Sequence, residues 1–161
     1  MSINIKKSVC LRIGPRFDAE CSDIVTSTGH VLPWVREIRY LGVFILCGRH
    51  FKCSSDNAKR SFYRAANSIF GKIGRSASEE VVLQLITTKC LPILLYGLEA
   101  CPVNKSDKLS LDFCVNRLLM KLFKSSNFSF VTECRQFFGF KLPSELLQQR
   151  TDKFISQLVF K

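Results

Sequence analysis

The stretch from Ile38 to Leu46, Ile-Arg-Tyr-Leu-Gly-Val-Phe-Ile-Leu, constrains the fold more than any other part of the chain. It is almost continuously apolar and rich in β-branched and aromatic residues, and one glycine, Gly42, interrupts it. Such a run predicts a buried strand about eight residues long. A glycine inside a strand packs no side chain and costs backbone entropy, so it marks a bulge or a place where another chain comes close. Two readings stand: a strand kink without function, or a strand that offers its backbone to a ligand.

Around this run the chain divides in two. Residues 8–14 alternate apolar and polar and predict a strand; residues 15–23 read as a polar loop. Ile24–Thr26 and His30–Leu32 predict a hairpin about Ser27, Thr28 and Gly29. Residues 1–53 thus form a small antiparallel β unit, and residues 54–161 a helical region. The first helix runs from Ser54-Ser55-Asp56 to about Ile73, stopped by Gly74. The next runs from Ser78 toward Ala100 with a kink at Pro92, apolar nearly all round and therefore central. Helices follow over Ser106–Lys124, Phe130–Phe138 and Ser144–Val159, the last opened by Pro143. The fold class is α+β. With 161 residues the chain can bury a core, and its 14 phenylalanines predict an aromatic-rich one.

The formal net charge of +11 points to a polyanionic partner, nucleic acid before an anionic membrane. No apolar stretch reaches the roughly 18 residues that a membrane span needs. The polar and basic start at Asn4, Lys6 and Lys7 lacks a signal-peptide pattern. The expectation is an intracellular protein, nuclear or cytoplasmic, that is not secreted. Its eight cysteines are then free thiols.

Catalytic signals are sparse. No two aspartates are adjacent, and the pair Glu79-Glu80 suits the positive end of a helix dipole. Cys47, His50 and Cys53 have ligand spacing but lack a fourth ligand, so no metal is expected. Basic faces carry more. On the first helix Arg60, Arg64, Lys72 and Arg75 fall within about 120°, opposite an apolar face of Phe62, Ala65, Ala66, Ile69, Phe70 and Ile73. On the third, Arg117, Lys121 and Lys124 fall within about 60°. Two cationic stripes can follow a phosphate backbone, or can simply be solvated helix faces. Tyr40, Phe51 and Tyr63 are candidates for stacking, with core packing the expected role of Phe51.

Three stretches together resemble one family. Asn4-Ile5-Lys6-Lys7-Ser8, followed by Val9-Cys10-Leu11-Arg12-Ile13-Gly14, resembles the segment after the catalytic aspartates in reverse transcriptases of non-long-terminal-repeat retrotransposons, the jockey-like LINE branch above all. Ile38-Arg39-Tyr40-Leu41-Gly42-Val43 resembles that family's primer-grip strand. Leu91-Pro92-Ile93-Leu94-Leu95-Tyr96-Gly97-Leu98-Glu99 is similar to its thumb helix. The resemblance implies the palm end and thumb of an RNA-directed DNA polymerase. Tyr40, Leu41 and Gly42 would grip the primer, and Lys6 and Lys7 match a basic pair associated with nucleotide or pyrophosphate handling. The implied partners are an RNA–DNA hybrid or primer–template duplex and the fingers and remaining palm of the polymerase.

The family's Phe/Tyr-x-Asp-Asp motif and its first catalytic aspartate are absent from this sequence. Those carboxylates hold two magnesium ions, so magnesium is implied only for a full-length polymerase, and this chain alone is expected not to polymerise. The rival reading is a basic helical protein–protein interaction module with no nucleic-acid role.

Overall fold

The structure, a computed structural model, describes residues 4–73 and 76–159. It is α+β, with short antiparallel strands preceding a helical region. The chain divides into two compact units, Met1–Ser54 and Ser55–Lys161.

In the first unit β1 (Ile24–Val25) and β2 (Val31–Leu32) form the expected hairpin, with Val25 opposite Val31. The Gly29 amide donates to the Thr26 carbonyl at 2.9 Å, and φ of +80° at Gly29 closes the turn. A second sheet has the order β3 (Glu37–Tyr40), β4 (Val43–Leu46), β5 (Lys52–Ser54), antiparallel throughout.

The run Ile38–Leu46 is therefore not one buried strand. It is a hairpin in which Tyr40 faces Val43 across a two-residue turn, Leu41-Gly42. Both turn residues have positive φ, 47° and 86°, the backbone of a type I′ turn. Gly42 is there for its conformation, and the turn was hidden because leucine stands where asparagine or aspartate would have announced it. β5 pairs Cys53 with Ile45.

Residues 8–14 are not a strand either. Cys10 bridges Trp34 and Ile13 bridges Gly48, two isolated parallel contacts with no ladder between them. Phe51 is exposed rather than packed in a core.

The second unit begins with α1 (Asp56–Ile73), which buries Phe62 and Ala66 as its apolar face requires. Gly74, expected to stop this helix, lies outside the described residues. The single helix expected over residues 78–100 is broken into four pieces. α2 (Glu79–Leu85) passes into a π-helical turn (Ile86–Cys90), then α3 (Leu91–Leu95), then a 3-10 turn (Leu98–Ala100). Pro92 lacks an amide hydrogen and its ring crowds the carbonyl one turn back, so the preceding turn widens. The Thr87 and Thr88 hydroxyls donate back to the Leu83 and Gln84 carbonyls at 2.9 and 2.8 Å. Gly97, at φ +71°, ends the run. One side of it is solvent-facing: Gln84, Thr87, Thr88, Pro92 and Ile93 are exposed.

α4 (Lys105–Leu122) is capped by Asn104, whose Oδ1 accepts from the Asp107 amide at 2.7 Å. α5 (Phe128–Phe137) is capped by Asn127. It ends in a Schellman motif: the Gly139 amide donates to Gln136 and the Phe140 amide to Arg135, with Phe140 buried. α6 (Pro143–Val159) starts against α4, where the Asp112 Oδ1 accepts from the Ser144 amide at 2.9 Å.

The core differs from expectation in kind. Leucines dominate it, most of them from α3 and α4, with Phe62 and Phe140 as its buried phenylalanines among the described residues. Phe113, Phe128, Phe130 and Phe137 are exposed.

Candidate nucleic-acid interface

The hairpin tip of the first unit presents Tyr40 and Leu41 at 61% and 75% exposure, with Gly42 beside them. Leucine in the left-handed region is strained by about 1–2 kcal/mol. Arg39, one residue earlier, lies over the Phe44 ring at 5.7 Å on the neighbouring strand. Lys6 and Lys7 are exposed on a turn in which the Lys7 amide donates to the Asn4 carbonyl at 3.0 Å.

In the second unit the two stripes meet in part. Lys121 on α4 reaches across to α1: its Nζ donates to Asn67 Oδ1 at 3.4 Å and lies 4.9 Å from the centre of the Phe70 ring. Arg60, Arg64 and Asn67 share a strip about 60° wide along α1. Arg117, one turn before Lys121, stacks on its own helix over Phe113 at 5.9 Å.

Tyr63 marks the same seam one turn earlier. Burial and the neighbouring Cys114 push its phenol up to about 12, and Arg117 pulls the other way. Going up both sequences, Cys114 then Lys121 on α4 meet Tyr63 then Asn67 on α1, so the two helices run parallel at this contact. Arg117 and Lys121 thus line the seam from α4, and Arg60 and Arg64 lie on the strip of α1 that holds Asn67. None of the four is in an ion pair among the described residues.

Lys124 belongs to the seam but not to the helix. It follows α4 with φ of +53°, and the Ser125 amide donates to the Met120 carbonyl at 3.1 Å, closing a Schellman-type end. Together Asn67, Phe70, Lys121 and Lys124 line an open cavity of about 890 Å³, with Glu79 as its one carboxylate. Lys72 is not brought in. It is exposed about 140° around α1 from Asn67. Arg75 lies outside the described residues.

Asn67 was not legible in the sequence, and Phe70 was legible only as part of the apolar face of α1, not as a neighbour of Lys121. The signal available was their i, i+3 spacing beside the basic strip; a basic residue arriving from 50 residues downstream left no local trace.

No group of three or more His, Cys, Asp or Glu among the described residues is arranged to hold a metal. No described helix is long and apolar enough to cross a membrane. Comparison with family models, curated proteins and solved structures finds no match.

Proposed function

We propose that this chain binds primer–template duplex or RNA–DNA hybrid as the palm-end and thumb portion of a LINE-type RNA-directed DNA polymerase. The observation that carries the reading is Lys121 bridging to Asn67 and Phe70, which joins two cationic stripes into one seam. The sequence resemblance supplies the family, and the exposed Tyr40-Leu41-Gly42 tip is available for the grip role it implies. Lys6 and Lys7 are solvent-facing, as phosphate contacts require. The family's catalytic aspartates have no counterpart in this sequence, so binding and not phosphoryl transfer is the activity we assign to this chain. Its partners on this reading are the nucleic acid and the fingers and remaining palm, inside the cell.

A salt titration of hybrid binding tests it. The five seam contacts, from Arg60, Arg64, Arg117, Lys121 and Lys124, contribute about −4 to −5 to the slope of log affinity against log salt. Reversing Arg117, Lys121 and Lys124 to glutamate should weaken binding at least about tenfold and shallow the slope by about 3. Unchanged affinity removes this seam from the reading.

The protein-interaction reading keeps one specific support, the exposed phenylalanines Phe113, Phe128, Phe130 and Phe137. A module of that kind self-associates or binds protein with little salt dependence, and leaves the hybrid unbound.

A further inference from the structure

We infer that the aromatic ladder Phe123–Phe138–Phe137 is a stacking platform for unpaired bases of a strand that leaves the α1–α4 seam. The inference rests on the duplex-binding proposal and extends it from paired to single-stranded nucleic acid.

The ladder starts where the seam ends. Phe123 directly precedes Lys124. Its ring is parallel to that of Phe138, with centroids 6.0 Å apart and an interplanar angle of 11°. Phe137 stands edge-on to Phe138 at 5.2 Å and 87°. Phe138 is thus held from two sides, while Phe137 is 85% exposed at the end of α5. A phenylalanine so placed contributes almost nothing to the core, and its edge-on contact orients its ring.

The surface beside it suits a base better than a phosphate. Phe137 and Phe138 line an open cavity of about 670 Å³ together with Gln84, Thr87 and Thr88. Glu80 and Lys141 are its two charged lining residues and are opposite in sign, so the cavity carries no formal net charge. The Gln84 side-chain amide has no partner among the described residues and offers both a donor and an acceptor. The Thr87 and Thr88 hydroxyls donate to backbone carbonyls, so their lone pairs remain free to accept.

Aromatic faces beside a cationic groove are how sequence-tolerant single-strand sites are built, because every base has a π face. Phosphates stay with Lys121 and Lys124 in this arrangement, and the base turns toward Phe137. That continuity from seam to ladder favours an unpaired strand over a protein partner.

The test compares a blunt RNA–DNA hybrid with the same hybrid bearing a short oligo(dT) overhang, against the full chain. Wild type should bind the overhang probe about tenfold more tightly than the blunt one. Phe137→Leu should lose that gain, Phe137→Trp should keep it, and neither should change blunt-hybrid affinity. Thermal melts of both variants should match wild type, because the position is 85% exposed. A 5-iodouracil in the overhang should photo-crosslink at Phe137 or Phe138. An overhang that adds nothing, or a leucine variant equal to wild type, overturns the platform while blunt binding keeps the seam, and leaves this cavity to a protein partner. Loss of blunt binding altogether is the separate failure of the seam and overturns the inference with it.

Discussion

Among the described residues, two that are not glycine sit in a backbone region that costs any side chain about 1–2 kcal/mol, and both were singled out by the sequence for other reasons. Leu41 turns the β3–β4 hairpin and Lys124 ends α4, at φ of 47° and 53°. Asparagine, aspartate or glycine is the ordinary occupant of the first position, and glycine of the second. Lys124→Gly separates the two demands on that residue. It should raise the melting temperature by roughly 2–4 °C, because about 1 kcal/mol of strain is relieved. It should also shallow the salt slope of hybrid binding by about 0.9, because one phosphate contact is lost. A rise in melting temperature with an unchanged slope places Lys124 in the fold alone.

At the scale of elements, the decisive contact is α1 against α4. Phe62 and Ala66 of α1 were legible as part of an apolar face, whereas on α4 the basic residues stood out and the leucines that fill the contact did not. Which polar side chains the contact would pair was not. Tyr63 reports on it through pH. Its folded phenol titrates near 12 and its unfolded phenol near 10, chiefly because burial disfavours the charged form and then because of Cys114. Folding therefore retains a proton that the unfolded chain releases between those values. The contribution of Tyr63 is fully present below pH 10 and is lost as pH rises toward 12. Urea unfolding of wild type and Tyr63→Phe between pH 9 and 11.5 should show the difference between them closing above pH 10. A constant difference would place Tyr63 outside the packed contact.

The whole molecule concentrates its apolar burial in the second unit. Apart from Leu32, every fully buried hydrophobic residue described belongs to helices or turns between Phe62 and Leu147. The first unit is held instead by short ladders and isolated bridges such as Cys10 with Trp34. Opening free energies should follow this division. Native-state hydrogen exchange should show α1 and α4 protected to the global limit, while the amides of β1 to β5 exchange through openings that cost less. Equal protection in both units would mean that the sheet and the helices unfold as one.

The sequence by itself determined what local chemistry specifies: the α+β class, the hairpin about Gly29, and, to within about two residues at each end, the helices over 56–73, 105–122 and 143–159. Period, caps and glycine or proline punctuation act within a few residues, so they can be read from a few residues. It misled where one local signal allowed two outcomes. An apolar run with one glycine suits a strand or a hairpin equally until Leu41 is seen to accept a positive φ. A proline after two threonines suits a kink or a π turn. Phenylalanines suit a core or a surface, and here leucines with their compact, branched side chains fill the interior. Only the tertiary structure decided that Lys121 meets Asn67 and Phe70 while Lys72 points elsewhere, because that choice depends on the rotation of α1 against a helix some 50 residues away in sequence, which no window of sequence encodes.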